Sequence, residues 1–130
     1  MTPKNARNIL VIEDDAIMRQ ALIEWLEAAD YRVRIAADGS AGLAAARVAP
    51  PSLVVTDIHM PGVNGATVIA ELKQVYPELP IVAISGLFNS GHGLDADAAI
   101  ALGAARALAK PFKRNELLQT VAELLESPAH

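Results

Sequence analysis

Short apolar runs alternate with longer helical segments along the chain, and this alternation restricts the fold more than any other feature of the sequence. Each run is only four or five residues long, the length of a strand: 8–12, 31–35, 53–57, 81–84 and 105–109. The segments between and after the runs place apolar residues at helical spacing. Strands that alternate with helices in this way predict a parallel sheet covered by helices on both faces.

The second run differs from the others because polar and apolar residues alternate along it, Tyr31-Arg32-Val33-Arg34-Ile35. That pattern suits an edge strand better than a central one. Right-handed crossovers leave few topologies, and the strand order 2-1-3-4-5 puts this strand on an edge. We therefore predict an α/β fold: a doubly wound, five-stranded parallel sheet of the flavodoxin-like (βα)5 type in three layers. Residues 1–130 are expected to form one domain, with its core at about 8–126.

The composition excludes several classes of protein. No stretch approaches the ~20 apolar residues of a membrane-spanning helix, and the first apolar run is too short for the core of a signal peptide. The chain contains no cysteine, which excludes disulfides and is compatible with a reducing cytoplasm. Its net charge is −4 and it has no basic cluster, which argues against direct binding to nucleic acid. We expect a cytoplasmic protein without membrane insertion.

Helix signals are clearest after the third run. Asn64 is a candidate N-cap, and Pro77 and Pro80 would end the helix that it starts. The apolar stripe expected to face the core is Val68, Ile69, Leu72, Val75 and Tyr76. Trp25, at helical spacing in the first helical segment, is predicted to belong to the core.

Polar residues stand where four of the predicted strands end: Glu13-Asp14-Asp15, Asp57, Ser85 and Lys110. Ligands of doubly wound sheets bind at this carboxyl edge, where the winding reverses between strands 1 and 3. Each residue alone has an ordinary explanation, such as a helix cap, a turn or a lysine that reaches solvent. Their joint placement indicates a site, although spacing alone does not choose among the three consecutive acids.

The residue types at this edge point to phosphoryl chemistry. Clustered carboxylates raise one another's pKa unless a cation neutralises them, and oxygen ligands without cysteine suit Mg²⁺, which typically also binds phosphate oxygens. Lys110 adds a positive charge and Ser85 a hydroxyl donor, which together with the metal would clamp a transferring phosphoryl group. Asp57 is then the expected nucleophile, since a carboxylate that attacks a phosphodonor forms an aspartyl phosphate.

Four stretches of the chain resemble the response-regulator receiver domains of bacterial two-component signalling, which are CheY-like. They are Glu13-Asp14, Asp57 to Gly65 with its Met60-Pro61-Gly62, Ser85-Gly86, and Lys110-Pro111-Phe112. The resemblance implies that Asp57 accepts a phosphoryl group from a histidine kinase or histidine phosphotransfer protein. It also implies that Mg²⁺ is held by Asp14, Asp57 and the backbone carbonyl of His59, with Glu13 acting through water. Such a domain acts by docking to a downstream protein, here unidentified, and catalyses only its own phosphorylation and dephosphorylation.

The chain departs from the family pattern in two places. Ala107 stands where receivers usually carry an aromatic residue, and the segment after Ser85 is long and Gly-rich. We therefore expect residues 86–102, rather than an aromatic switch, to transmit phosphorylation. His59 and His92 are expected to be solvated loop residues. The resemblance and the sharp turn after the last strand both predict a cis Lys110–Pro111 bond.

Two other functions fit parts of the pattern. An aspartate-nucleophile phosphohydrolase of the haloacid-dehalogenase kind needs a second aspartate two residues after the nucleophile, where this chain has His59. A flavodoxin-like FMN-binding module needs a phosphate-binding loop after the first strand, where Glu13-Asp14-Asp15 would repel phosphate. Both remain alternatives to the signalling module at this point.

Overall fold

The computed structural model describes residues 7–88 and 95–126, in which five parallel strands lie between two layers of helices. The strands are β1 (Asn8–Ile12), β2 (Arg32–Ala36), β3 (Leu53–Asp57), β4 (Ile81–Ser85) and β5 (Arg106–Ala109). The helices are α1 (Ala16–Ala28), α2 (Gly39–Val48), α3 (Gly65–Val75), α4 (Ala96–Leu102) and α5 (Arg114–Glu126). The sheet order β2-β1-β3-β4-β5 confirms the predicted fold class and topology.

Burial along the strands follows their place in the sheet. β3 and β4 are buried at every residue because helices cover both of their faces. In the edge strand β2 only Ala36 is buried, and Ile35 is half exposed. This strand begins one residue later than predicted, because the Tyr31 N–H still closes the end of α1 by donating to the carbonyl of Leu26 at 3.2 Å.

Two separate cores flank the sheet. The core on the side of α1 and α5 is made of large aliphatic side chains: Ile9, Val11, Leu22, Leu26, Leu53, Val55, Val82, Ile84, Leu117 and Val121, together with Tyr31 and Phe112. Trp25 packs against this α1/α5 core as predicted, with its ring centroid 6.4 Å from that of Phe112 in an edge-to-face contact. The opposite core lies under α2, α3 and α4 and includes Leu10, Ile12, Ile69 and Phe88.

Side-chain caps start four of the helices. The carboxylates of Asp15, Asp38 and Asp95 and the amide oxygen of Asn64 each accept a hydrogen bond from the backbone N–H three residues later. The stripe predicted for α3 is wrong at Val75, which is 62% exposed. Val75 is the last residue of that helix, whereas Tyr76, which follows it, is partly buried and packs against the core as predicted. Within the described residues, no helix is long and apolar enough to cross a membrane.

Candidate functional site

The end of β1 separates its three consecutive acids into different environments. Glu13 extends the pairing with β2, with its N–H donating to the carbonyl of Ala36 at 3.1 Å, and its side chain is fully buried. Asp14 is exposed, and Asp15 turns away to cap α1, where its carboxylate accepts from the Met18 N–H at 3.1 Å. Two of the three acids are therefore free of the cap, a choice that spacing alone left open.

The turn after β3 brings a backbone N–H onto Asp57. Asp57 is buried, with 6% of the residue exposed, and its Oδ1 accepts from the His59 N–H at 3.3 Å. The start of α3 is pressed against the same turn: a Cβ added to Gly65 would lie 2.3 Å from the carbonyl oxygen of Asp57. Only glycine fits there without a backbone shift, which gives the Asn64-Gly65 pair of the sequence a role in closing the site.

Lys110 reaches across the sheet to two of the acids. Its Nζ lies 2.9 Å from Glu13 Oε1 and 3.3 Å from Asp57 Oδ2, and its side chain is only 20% exposed. The backbone supports this reach, because the Lys110 N–H donates to the carbonyl of Ser85 at 2.9 Å. The Lys110–Pro111 bond is cis, as predicted. One ammonium thus pairs with acids delivered by β1 and β3.

Burial and charge act together on the acid–base groups of the site. Burial raises the pKa of Glu13; the Lys110 ammonium opposes this rise and the neighbouring Asp57 carboxylate adds to it. Burial also works to lower the pKa of Lys110, but the carboxylates of Glu13 and Asp57 outweigh it, so the pKa of Lys110 lies above its ordinary value. Lys110 is therefore charged at neutral pH, yet it does not fully compensate the acids around it.

Glu13, Asp14 and Asp57 form a group of carboxylates suited to a hard cation. One carboxylate oxygen from each of Glu13, Asp14 and Asp57 lies within 4.8 Å of the others. Three carboxylates against one ammonium leave a formal charge of −2, which a divalent ion would neutralise. Oxygen donors without nitrogen or sulfur favour Mg²⁺ or Ca²⁺ over softer metals. The donor set therefore fits the divalent cation expected from the sequence.

Ser85 lies at the same edge but forms a different contact. It is fully buried at the end of β4, one residue past Ile84, which is the register partner of Asp57. Its Oγ accepts the Leu87 N–H at 2.9 Å. Among residues 7–88 and 95–126 the Ser85 hydroxyl donates to no acceptor, and since a hydroxyl donates one hydrogen bond and accepts others, its proton can be offered to a ligand.

The two loop histidines have different outcomes. His92 lies outside the described residues. The expectation that His59 is solvated is wrong: the residue is partly buried, and its Nε2 is enclosed without a hydrogen-bond partner among the described residues. A single histidine in a loop carries no periodicity, so the sequence held no signal for this burial.

Sequence reasoning also missed two contacts that shape the site. The Arg19 guanidinium donates to the carbonyl oxygen of Glu13 at 2.9 Å and so ties α1 to the end of β1. The second contact that was missed is the hydrogen bond from the His59 N–H to the Asp57 carboxylate. Neither contact has a sequence signal, because the first joins residues six apart across a helix start and the second is made by the backbone.

Comparison with known proteins identifies the class to which this fold and acid site belong. The family model described as "Response regulator receiver domain" matches residues 9–122. The chain belongs to this family, whose members are signalling modules of two-component systems.

Individual relatives agree with that assignment. The response regulator receiver protein CpdR of Brucella abortus is 32% identical over 119 residues, which cover 92% of this chain and 97% of CpdR. The crystal structure of the receiver domain of NtrX from the same species is 35% identical, with a TM-score of 0.84 and coverage of 92% of this chain and 98% of that domain.

Longer relatives carry more than the part matched here. The transcriptional regulatory protein BaeR of Escherichia coli is 29% identical over 122 residues, which cover 94% of this chain but 49% of BaeR. The chain thus spans about half the length of this curated relative. Membership of the receiver family favours the signalling module over the phosphohydrolase and the FMN-binding module considered from the sequence.

Proposed function

We propose that the chain is a single receiver domain, with its core at about 8–126, that accepts a phosphoryl group on Asp57. The observation that carries this proposal is the environment of the Asp57 carboxylate. One oxygen accepts the His59 N–H, the other lies 3.3 Å from Lys110 Nζ, and carboxylates of Glu13 and Asp14 stand within 4.8 Å. A buried carboxylate that lies among other carboxylates and pairs with a single ammonium is typical of a reactive site, because such an arrangement contributes little to stability.

The donor would be the phosphohistidine of a histidine kinase or of a histidine phosphotransfer protein. A carboxylate oxygen of Asp57 attacks phosphorus, the P–N bond breaks, and its electron pair stays on the imidazole nitrogen of the donor, which then takes up a proton. The new P–O bond makes Asp57 an acyl phosphate. Hydrolysis of that bond returns the carboxylate, so the domain catalyses only its own phosphorylation and dephosphorylation.

The proposed metal is Mg²⁺, which would be held by Asp14, Asp57 and the backbone carbonyl of His59, with Glu13 acting through water. When bound, it supplies the positive charge that lets an anionic donor approach the acids. Lys110 already pairs with Asp57 and is placed to bind a phosphoryl oxygen once transfer has occurred. The Ser85 hydroxyl is the second donor, and a hydrogen bond to a charged acceptor contributes roughly 1.5–3 kcal/mol.

Phosphorylation would change the surface formed by residues 86–102, and this change would alter which protein the domain docks to. Of this segment, 89–94 lie outside the described residues. α4 buries only Ala99, whereas Ile100 and Leu102 are 43% and 37% exposed, so the helix offers apolar contact to a downstream protein. The absence of cysteine and of a basic cluster supports a cytoplasmic module whose partner is a protein rather than nucleic acid.

The test is phosphorylation of the purified chain by a small phosphodonor such as acetyl phosphate with Mg²⁺, followed by intact mass. Asp57→Asn is expected to abolish incorporation because the amide is not a nucleophile. The matched control is Asp38→Asn, since Asn caps a helix as well as Asp does and Asp38 only caps α2. Wild-type incorporation in the Asp57 variant would refute the proposal.

A further inference from the structure

Two exposed valines lie at the ends of neighbouring helices. Val48, the last residue of α2, is 86% exposed, and Val75, the last residue of α3, is 62% exposed. Among the described residues, no large apolar side chain is more exposed than Val48. A single exposed valine is ordinary on a protein surface, whereas apolar residues that adjoin one another mark an interaction surface.

A proline-rich groove of about 440 Å³ adjoins these helix ends. Its lining includes Val75 and Tyr76 together with Pro50, Pro77 and Pro80. These prolines stand before β3 and β4, so the groove lies at the amino edge of the sheet, opposite the edge where β3 ends at Asp57. Proline and valine side chains lose little freedom on burial, and covering this groove therefore costs little conformational entropy.

Two opposite charges border the valines and are unpaired. Arg47 and Glu71 line the same small cavity, of about 70 Å³, between α2 and α3. Neither side chain forms a hydrogen bond or an ion pair with another of the described residues. This surface, which we call the α2/α3 patch, thus combines Arg47, Val48, Glu71 and Val75 with the groove.

We propose that a second copy of the chain docks on the α2/α3 patch about a two-fold axis. In a two-fold interface every contact occurs twice with the roles exchanged, so the surface must carry its own complement. The α2/α3 patch does so in both charge and shape. Arg47 would pair with the partner's Glu71, and Val48 would enter the partner's groove. An unrelated partner would need no such match of opposite features within one surface.

This association does not depend on the phosphoryl transfer proposed above. The α2/α3 patch lies at the amino edge, and the acids and α4 stay uncovered when it is occupied. The Asp57→Asn variant should therefore associate as the wild type does. Because each copy contributes few apolar side chains, we expect a weak dimer with a dissociation constant in the micromolar range.

Analytical ultracentrifugation of the whole chain, from low micromolar to near-millimolar concentration, tests the apolar contact. The mass should rise to that of a dimer and no further. Val48→Ser should raise the dissociation constant at least about tenfold, because it replaces a residue at the centre of the contact. The control Ile17→Ser, at a residue 82% exposed on α1, should leave it unchanged. A wild type that stays monomeric throughout, or equal effects of the two variants, would overturn the proposal.

Charge reversal tests the pairing between copies. Arg47→Glu and Glu71→Arg, each alone, place like charges opposite each other in both pairs of the dimer and should weaken it at least about tenfold. An equimolar mixture of the two variants restores opposite charges in both pairs and should dimerise about as the wild type does. An ion pair within one chain would give no such rescue on mixing. If either variant alone dimerises like the wild type, or if the mixture stays monomeric, the proposal is wrong.

Discussion

The α1/α5 core and the part of the opposite core that lies under α4 are on different faces of the same sheet and are built differently. The first is made of large aliphatic side chains such as Leu22, Leu26 and Leu117, all fully buried under two helices of 13 residues. The second is covered by a helix of seven residues that buries only Ala99. Heavy packing resists local opening, whereas light packing permits it. We therefore expect α4 to be held less firmly than α1 and α5.

The largest effect expected from this contrast is on stability. Leu26→Ala removes a fully buried side chain from the α1/α5 core and is expected to lower the free energy of unfolding by about 4 kcal/mol. Ile100→Ala on α4 is the control, because its side chain is 43% exposed, and it should cost about 0.5 kcal/mol or less. Denaturant titrations of both variants measure the difference. Similar losses for the two would contradict the contrast between the cores.

A slightly smaller effect on stability is expected at the ion pairs that Lys110 forms with Glu13 and Asp57. Lys110→Met leaves Glu13 and Asp57 without their ammonium partner and should destabilise the metal-free protein by about 3 kcal/mol. Mg²⁺ should recover part of that loss, because it binds only the folded state and neutralises the same acids. The check is thermal unfolding with Mg²⁺ and with a chelator. A variant as stable as wild type in chelator would contradict the pairing seen at this edge.

The smallest effect is on the pH dependence of stability. Burial raises the pKa of Glu13, so the folded protein holds this proton to higher pH than the unfolded chain does. Stability should therefore fall as pH rises from the ordinary carboxyl range through the raised pKa, by about 1.4 kcal/mol for each unit of the rise.

The Glu13→Gln variant should not show this fall in stability with rising pH. The control Glu24→Gln, on the exposed face of α1, should still show it. Lys110 contributes a second fall in stability, at high pH. Because its folded pKa is raised, its stabilisation is present below its ordinary value and is lost as pH rises through the raised one. Urea midpoints measured across pH without metal test both limbs. If the Glu13→Gln variant follows the wild-type profile in parallel on the acid side, the assigned cause is wrong.

How much the sequence predicted differs between the same two regions. Strand order, helix starts and the polar edge followed from periodicity and from residues at strand ends, because large apolar residues at regular spacing leave little choice of face. The burial of Phe88 was not predicted, because a single aromatic residue in a Gly-rich segment belongs to no periodic pattern. The exposure of Val75 was missed for a related reason: spacing predicts which face a residue shares, but not which residues at the margin of that face are covered.

The site shows the same limit. Types of residue and their order along the chain indicated a cation site with a nucleophile, a lysine and a serine. Which acid caps α1 was not decided by spacing, and the structure assigns that contact to Asp15. The shared contact of Lys110 with Glu13 and Asp57 depends on how far three strands stand apart, a quantity that no local pattern contains.

The most direct measurement of the central claim locates the phosphoryl group itself. The chain is incubated with acetyl phosphate in Mg²⁺ or in chelator, and acyl phosphates are then reduced with borohydride, which converts a phosphorylated aspartate to homoserine. Peptide mass spectrometry is expected to find homoserine at position 57, in Mg²⁺ only, and unmodified aspartate at 14 and 15. Homoserine at another aspartate, or equal conversion of residue 57 in chelator, would contradict the account of a magnesium-dependent phosphoacceptor at Asp57.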